Sequence, residues 1–485
     1  MTNHSLKAQA TRGMLWSTVD KFAVQAGQFI VGIVLARILM PEDFGLIGML
    51  SIFLALSQVF IDSGMGSGLI QRQDRTNADY STVFVFNFVV SVCFYLILFF
   101  TAPLIARFYD QPLLTLLTRT LGLNLIINSL AIVQRSKLTI AIDFKSIAKV
   151  NVIGVALGGT AGVVTAILGF GVWAIVIQTL VSSVATVSSL WLFSKWNPSI
   201  VFSKESFKTL FGYGSKLLLA GLYAQTLNNI YNITIGKAYP AGQLGYYTRT
   251  KQFAEITAGT VSSILQQVTF PILASVQHDK ARLISIYSRL IKMTAFFIFP
   301  SMTLLALLAK PLILILLTDK WAAVIPLLQW MAFARIIYPI SVINMNILNA
   351  IGRSDLFLKV DLSKFPLILL TLIITIPLGI KAIVIGHVIT SSISFFINAY
   401  LPGKLFGYGG LKQLKDMASV IVSTIIMAIA VFYSIYFIDN LYIKLILGGL
   451  VGLTAYIIMS YLLKIPEWKE IQVFLMKISN PKKIG

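Results

Sequence analysis

The chain has 485 residues, of which 57% are hydrophobic and only 12% are charged, and its mean hydropathy is +0.84. A soluble domain is about a quarter charged and could not hide this much apolar surface from water, so a soluble globular protein is excluded. The formal charge of +21 comes without the basic and aromatic blocks typical of nucleic-acid binding. One cysteine and three scattered histidines exclude an intrachain disulfide and disfavour a metalloenzyme.

Apolar segments recur along the whole chain at the length that crosses about 30 Å of hydrocarbon, which is roughly 20 helical residues. They predict an all-α polytopic membrane protein with fourteen transmembrane helices. The first segment shows no cleavable signal peptide and is expected to remain in the protein. The run Pro311 to Leu317 is too short to cross and is predicted to be interfacial. The predicted spans are 14–38, 46–70, 81–106, 113–134, 150–169, 171–194, 209–236, 248–276, 288–309, 321–350, 356–379, 382–402, 417–438 and 441–463.

The basic residues between these spans are distributed unequally between the two sides of the membrane. With fourteen spans, 25 Lys and Arg residues lie on the side of the termini and 8 on the other side. The positive-inside rule therefore predicts that both termini are cytoplasmic. All connections are short, so no folded domain outside the membrane is expected.

An internal similarity appears when the sequence is shifted by 200 residues against itself. It predicts two six-helix lobes related by a pseudo-two-fold axis along the membrane normal, a plan typical of transporters. The alternative is chance, because a helix end followed by a turn and a glycine recurs in polytopic proteins. The aligned pairs are Gln25 and Gln225, Ile30 and Ile230, Ile33 and Ile233, Arg37 and Lys237, Phe44 and Leu244, and Gly45 and Gly245. The predicted parts are an N-lobe (1–194), a cytoplasmic linker (195–208), a C-lobe (209–402), two further helices (403–463) and a basic cytoplasmic tail (464–485).

Basic side chains inside the spans are the first group of predicted site residues. An ionisable group in hydrocarbon costs about 2.5–3.5 kcal/mol on insertion scales, so it usually faces protein or a water-filled cavity. Lys21 and Lys216 lie at similar depth in the first and seventh spans, and two ammonium groups facing one cavity suit a diphosphate. Arg249, Lys251 and Arg335 are further diphosphate candidates. The alternative is that these side chains snorkel to an interface or form interhelical ion pairs.

Acidic and amide side chains form the other groups. Asp20, Asp62 and Glu255 are candidates for proton or cation coupling, with a satisfied interhelical hydrogen bond or ion pair as the favoured alternative. The spacing of Gln225, Asn228, Asn229 and Asn232 places four amides on one helix face. That stripe is predicted to line a cavity, and helix association is the alternative.

Prolines and glycines inside the predicted spans indicate two features of the helices. Arg335 lies between Pro326 and Pro339, which predicts a broken helix. The glycines of the fifth span predict close helix packing rather than a phosphate loop, because no strand precedes them; they are Gly154, Gly158, Gly159 and Gly162.

Several segments resemble the polysaccharide-transporter branch of the multidrug/oligosaccharidyl-lipid/polysaccharide exporter superfamily, and in particular its Wzx-type, colanic-acid-exporter-like flippases. The resemblance covers nearly the whole chain, and the PEDFG hairpin and the DFK loop are its more specific parts. The segments are LARILMPEDFGLIGM (35–49), FIDSGMGSGLIQR (60–72), RSKLTIAIDFKSIAKV (135–150), LGYYTRTKQFAEI (244–256) and the FPILASVQHDKARL that follows.

The resemblance implies that the protein is no enzyme but a flippase for undecaprenyl-diphosphate-linked oligosaccharides in a bacterial inner membrane. No Walker sequence occurs, so no cofactor is expected, and the energy for transport is expected to come from a proton or sodium gradient or from consumption of the product. The two-lobe plan is compatible with a monomer, and polysaccharide polymerase and glycosyltransferase partners are expected. A cation-coupled multidrug exporter of the same superfamily is the main alternative. A membrane-embedded polysaccharide polymerase or ligase is disfavoured, because the outer loops are short.

Overall fold

The computed structural model describes the backbone of residues 3–479. It describes the side chains of these residues except for 3–12, 14, 213, 216, 260, 261, 263, 264, 266–268 and 474–479. The described chain is helical throughout, with short turns and two 3₁₀ segments, Asp319–Trp321 and Ile376–Leu378. The helices are α1 (Asn3–Ile38), α2 (Pro41–Asp62), α3 (Met65–Gln71), α4 (Asn77–Tyr109), α5 (Leu114–Ser129), α6 (Ile132–Ile140), α7 (Phe144–Ile167), α8 (Trp173–Ser194), α9 (Lys204–Ala238), α10 (Ala241–Ser275), α11 (Lys280–Leu307), α12 (Ala309–Leu317), α13 (Val324–Ile336), α14 (Tyr338–Ala350), α15 (Ser354–Ser363), α16 (Phe365–Thr375), α17 (Ile380–Phe406), α18 (Gly410–Asp416), α19 (Ala418–Tyr436), α20 (Leu441–Leu462) and α21 (Pro466–Ser479).

Eleven segments of the described chain are long and apolar enough to cross a membrane. The protein is therefore an all-α multi-pass membrane protein, as the sequence predicts. Three predicted spans, 209–236, 248–276 and 356–379, are not among these eleven. The first two coincide with α9 and α10, which have 35 residues each and are about 52 Å long at 1.5 Å per residue. The third is divided into α15, α16 and a 3₁₀ segment, with Pro366 and Pro377 at the starts of the latter two.

The chain divides into two compact units, residues 1–245 and residues 246–485. In the first unit α7 packs along α1 and α8, α4 packs on α5, and α9 packs on α2, α3 and α4. In the second unit α13 and α14 pack on α17, and α11 packs on α13 and α19. The predicted lobe boundary at 195–208 stays a prediction.

A fully buried hydrogen-bond network holds together part of the second unit. The Tyr287 hydroxyl of α11 donates to Asn344 Oδ1 of α14, and Gln413 of α18 bonds to both residues, with Nε2 3.1 Å from each oxygen. Each of the three residues is 0% exposed. Because each polar group has a partner, the network fixes α18 against α11 and α14 without a desolvation penalty.

Local sequence explains where α2 begins. Pro41 occupies the first turn, where its missing N–H removes no helical bond, and Asp43 Oδ2 accepts from the Met40 N–H at 2.9 Å. Glu42 and Asp43 also place negative charge at the positive end of the helix dipole. The PEDFG sequence therefore starts a helix, and its glycine, Gly45, contributes to packing.

The glycines of α7 pack as the sequence predicts. A Cβ atom on Gly158 or Gly162 would crowd Ser182 or Gln178 of α8, and one on Gly159 would crowd Val31 of α1. α7 therefore lies between two helices at close range, which confirms the prediction of close packing.

The first unit contains a reciprocal backbone contact between the two aligned hairpins. A Cβ atom on Gly45 would overlap the carbonyl oxygen of Ala241, and one on Gly245 would overlap that of Pro41. Positions 41 and 241, like 45 and 245, are 200 residues apart, so each hairpin presents the same surface to the other. Such reciprocity is the property of a contact with two-fold symmetry, and it supports the internal repeat.

This contact predicts that alanine is not tolerated at Gly245. We expect Gly245→Ala to lower the stability of the purified protein by about 1–3 kcal/mol, because two backbones must separate to admit the methyl group. The measurement is the apparent midpoint of thermal unfolding in detergent. The control is Gly449→Ala in α20, where nothing lies within 4 Å of the added Cβ. Equal midpoints for the two variants would contradict the tight contact.

Candidate transport site

Two cations of the second unit share one carboxylate oxygen. Arg335 Nη2 of α13 lies 2.9 Å from Glu255 Oε1 of α10, and Lys251 Nζ lies 3.9 Å from the same oxygen. The spacing of Lys251 and Glu255 is i,i+4, which brings them together on one helix face. We call these three residues the cation cluster.

The exposure of the three side chains is uneven. Arg335 is 12% exposed and Lys251 is 21% exposed, whereas Glu255 is 44% exposed. Two positive charges face one negative charge, and the buried Nε of Arg335 has no hydrogen-bond partner among the described residues. His387 of α17 lies within electrostatic reach of both cations. The cluster therefore has excess positive charge and a carboxylate that is its most accessible member.

The position of Arg335 follows from a helix break. α13 ends at Ile336 and α14 begins at Tyr338, with Pro339 in its first turn. This confirms the predicted broken helix. Arg335 lies in the last turn of α13, where a cation is favourable at the negative end of the helix dipole, and its guanidinium is 5.3 Å from the centroid of the Tyr338 ring.

Arg249 lies on α10 six residues before Glu255 and has a different environment. It is 7% exposed, it donates to Gln252 Oε1, and its guanidinium is 5.9 Å from the centroid of the Trp321 ring. Tyr246 packs edge-on against the same tryptophan at 6.0 Å. These contacts indicate a packing role, and diphosphate binding by Arg249 stays a prediction.

In the first unit, Asp20 belongs to a relay of hydrogen bonds between three helices. Asn151 Nδ2 of α7 donates to both carboxylate oxygens of Asp20 at 3.1 Å, and Asn151 Oδ1 accepts from Arg135 Nη2 of α6 at 3.1 Å. Asp20 therefore finds its partner on another helix, as its position in the first span requires. The arrangement fits the satisfied interhelical hydrogen bond that the sequence favours, and a coupling role for Asp20 stays a prediction.

Of the two lysines predicted to face a diphosphate, the structure describes the side chain of Lys21 but not that of Lys216. Lys21 of α1 is exposed and makes no hydrogen bond or ion pair with the side chains that the structure describes. Lys216 belongs to α9, but its side chain lies outside the described residues. The predicted pairing of these lysines around a diphosphate therefore stays a prediction.

The amide stripe of α9 divides into two halves. Ser51 of α2 donates to Asn229 Oδ1 and accepts from Asn232 Nδ2, both at 3.1 Å, and these two asparagines are buried. Asn228 is exposed and Gln225 is half-buried. One half of the stripe thus fastens α9 to α2, and cavity lining by the other half stays a prediction.

Asp62 lies at the end of α2 and is exposed. Gln58 Nε2, one turn earlier, donates to Asp62 Oδ1 at 2.9 Å. Both side chains line a cavity of about 500 Å³ inside the first unit. Asp62 is therefore placed in a polar cavity, whereas Asp20 and Glu255 have partners on other helices.

The structure also adds residues that the sequence analysis does not single out. Asn151, Asn124 and Asn128 are amides in otherwise apolar spans, and the last two are four residues apart. The signal that could have identified Asn124 and Asn128 is the same i,i+4 amide spacing that marks α9. Trp321 carries no comparable signal, because its role depends on helices distant in sequence.

Comparison with solved structures identifies the class of fold. The chain is similar to the structure of the lipid II flippase MurJ in an inward closed conformation, with a TM-score of 0.73 and 16% identity over 93% of this chain and 98% of that one. It is also similar to an inward-facing multidrug resistance MATE family transporter of the MOP superfamily, with a TM-score of 0.60, 16% identity, and coverage of 79% and 95%. The fold is thus that of the MOP exporters.

Sequence comparison gives the particular family. A family described as "Polysaccharide biosynthesis protein" matches residues 34–326, more than half of the chain, and the chain belongs to that family. TuaB, a teichuronic acid biosynthesis protein of Bacillus subtilis (strain 168), is 26% identical over 82% of this chain and 83% of its own length. ExoT, a succinoglycan biosynthesis transport protein of Rhizobium meliloti (strain 1021), is 26% identical over 67% and 66%. The protein is therefore a multi-pass membrane protein of this polysaccharide biosynthesis family.

The cation cluster predicts an energetic coupling between Arg335 and Glu255. We expect Arg335→Gln and Glu255→Gln each to lower the free energy of unfolding. The double variant should lose less than the sum of the two single losses, by about 0.5–3 kcal/mol, because the second change removes a charge that is already unpaired. The measurement is a double-mutant cycle of thermal unfolding in detergent.

The matched control is the ion pair of Arg353 and Asp355, which lies outside the spans. The Asp355 carboxylate is 2.8 Å from the Arg353 guanidinium, and both side chains are half exposed. The same Arg→Gln and Asp→Asn cycle should give no measurable coupling there, because water screens the pair. Strict additivity at Arg335 and Glu255 would show that their ion pair is absent in solution.

Proposed function

We propose that this transporter is a flippase that moves undecaprenyl-diphosphate-linked oligosaccharide units from the cytoplasmic to the periplasmic leaflet. The product would serve surface polysaccharide biosynthesis, such as O-antigen, capsule or exopolysaccharide. Family membership supports a polysaccharide pathway, and the fold supports transport of a large amphipathic substrate. Lipid linkage of the substrate and its diphosphate are the parts that this proposal adds.

The observation that carries the proposal is the pair of cations on the single carboxylate of Glu255. Glu255 lies 14 residues into α10, about 21 Å along that helix, and seven residues into the predicted span 248–276. In a low-dielectric setting two cations with one counter-ion have a strong affinity for a further anion. A diphosphate would replace Glu255 as the partner of Arg335, whose planar guanidinium binds two phosphate oxygens at once.

The mobile partner in this exchange is the carboxylate. Glu255 is more exposed than either cation, so it can turn towards water when the diphosphate arrives, while Arg335 stays in place against Tyr338. The cations then need not move for the substrate to bind. The isoprenoid tail would remain in lipid throughout, and only the diphosphate and the sugars would cross the membrane within protein.

Coupling is proposed to use protons or sodium, because the sequence contains no nucleotide-binding motif. Asp20, Asp62 and Glu255 are the carboxylates available for it. Of these, Glu255 is the best placed, because a proton on Glu255 would release Arg335 and Lys251 for the diphosphate. Protonation of Glu255 and binding of the diphosphate would then each change the free energy of the other, which is the thermodynamic basis of coupling.

The cellular setting follows from the same proposal. The protein would lie in the bacterial inner membrane with both termini in the cytoplasm, where the lipid-linked oligosaccharide is assembled. It would receive substrate from glycosyltransferases and deliver it to a polymerase, and it would act as a monomer. Labelling of cysteines introduced at the two termini with an impermeant reagent tests this orientation.

A multidrug exporter is the second function compatible with the fold, since a MATE transporter shares it. Multidrug substrates of such exporters are commonly cationic or apolar, and the excess positive charge of the cation cluster would repel a cation. The family match also favours the polysaccharide pathway.

The flippase proposal predicts a loss of translocation when Arg335 is neutralised. We expect Arg335→Gln to slow translocation of the host's own lipid-linked oligosaccharide about 10- to 100-fold, the value of one charge-assisted hydrogen bond. The measurement is protein-dependent exposure of the sugar to an impermeant glycosidase in proteoliposomes. Arg353→Gln, at the exposed pair outside the spans, is the control and should stay within about twofold of the parent.

If the parent protein exposes no lipid-linked sugar under a proton or a sodium gradient, the flippase proposal is wrong. Equal rates for Arg335→Gln and Arg353→Gln would keep the flippase but remove the cation cluster from its substrate site.

The lysines of α1 and α9 give a separate prediction. We expect Lys21→Ala or Lys216→Ala to impair polysaccharide export several-fold in cells while the protein stays in the membrane, because each removes one charge proposed to attract the diphosphate. Lys→Arg at either position should be milder. Full export by the double alanine variant would remove both lysines from the substrate path.

A further inference from the structure

The first unit contains a cavity with both polar and apolar lining, which neither the cation cluster nor the family match explains. Its volume of about 500 Å³ falls within the roughly 300–1,000 Å³ of small-molecule sites. It is formed by α2, α5, α6 and α8, and apolar side chains such as Leu54, Leu121 and Leu125 supply part of its wall. Its polar lining includes Gln58, Asp62, Asn124, Asn128, Arg135 and Thr179.

The polar groups of this cavity have a definite arrangement. Asp62 and Arg135 are exposed, whereas Asn124, Asn128 and Thr179 are half-buried. Asn124 Oδ1 is buried and has no hydrogen-bond partner among the described residues. A buried acceptor without a partner is unfavourable, so a ligand that donates a hydrogen bond to it would recover free energy.

The charges of the lining select the chemistry of the ligand. Asp62 and Arg135 cancel, so the cavity has no net charge from its ionisable lining. A free anion or an inorganic cation therefore gains no net charge attraction from this lining, and an apolar ligand would leave the amides unsatisfied. A neutral ring with several hydroxyl groups satisfies all of them, because each hydroxyl both donates and accepts. Its C–H faces would contact the leucines.

We infer that this cavity binds a neutral sugar residue of the transported oligosaccharide. The inference rests on the proposed function, because it assigns the sugar-binding part of the same transport cycle. It separates two kinds of recognition within the chain: the cation cluster of the second unit takes the diphosphate, and the cavity of the first unit takes a sugar. Gln58, Asn124 and Asn128 would then be specificity residues.

The experiment compares two lipids that differ only in the sugars. Purified protein in detergent is titrated with the host's lipid-linked oligosaccharide and with bare undecaprenyl diphosphate, and the two affinities are measured by native mass spectrometry. We expect the parent to bind the sugar-bearing lipid about tenfold more tightly, equivalent to one or two hydrogen bonds. Asn128→Leu, which keeps the branched shape and the number of side-chain heavy atoms but removes the amide, should reduce this preference to less than about twofold without weakening binding of the bare lipid.

Two variants serve as references. Asn87→Leu makes the same replacement at a buried asparagine of α4 that does not line the cavity, and its two amide atoms have no partner among the described residues. It should keep the full preference. Thr179→Val, which removes one hydroxyl group at constant size, should lose part of the preference. Arg335→Gln should weaken binding of both lipids equally.

The outcomes separate the two proposals. A parent that binds both lipids equally, or an Asn128→Leu variant that keeps the preference, overturns the sugar site and leaves the flippase proposal intact. Equal loss of both lipids in Asn128→Leu also overturns it, because the cavity would then serve the fold and not the sugar. A parent that binds neither lipid overturns the proposed function and the sugar site together.

Discussion

Hydrocarbon offers no hydrogen-bond partner, and this constraint decides where the polar side chains of this protein lie. Within the helices, several polar side chains pair with a side chain of another helix: Asp20 with Asn151, Asn229 and Asn232 with Ser51, and Glu255 with Arg335. Each pair joins helices that are distant in sequence, so the same bonds that satisfy polar groups also fix the packing. We assign substrate recognition to two sets of polar groups, the cations beside Glu255 and the amides of the first-unit cavity.

The two proposed recognition sites differ in the way they bind. The cation cluster would hold its own carboxylate in the place of the diphosphate, so binding there would be an exchange of anions. The cavity of the first unit is neutral and contains an unsatisfied acceptor, Asn124 Oδ1, so binding there would add hydrogen bonds without displacing any. An exchange site suits a group common to all substrates of a flippase. A site that adds bonds to particular hydroxyls suits the part of the substrate that varies.

The sequence predicts the all-helical membrane fold, the broken helix at Arg335 and the glycine packing of α7, because each follows from local composition or spacing. It also identifies charged residues inside the predicted spans, but it does not identify their partners on other helices. The i,i+4 spacing of Lys251 and Glu255 is visible in the sequence, but the approach of Arg335 depends on how α13 packs. The amide stripe shows the same limit, since spacing places Asn229 and Asn232 on one face and only packing brings Ser51 to it. Partners separated by about 80 to 180 residues leave no local signal.

The reciprocal contact between residues 41–45 and 241–245 is made by main-chain atoms and glycine α-carbons. Such atoms have no rotamers, so forming the contact costs no side-chain conformational entropy, and breaking it releases none. At positions 45 and 245 the contact requires glycine, because a Cβ atom there would overlap a backbone carbonyl oxygen. Substitutions among the residues of the first-unit cavity would leave the energetics of this contact unchanged.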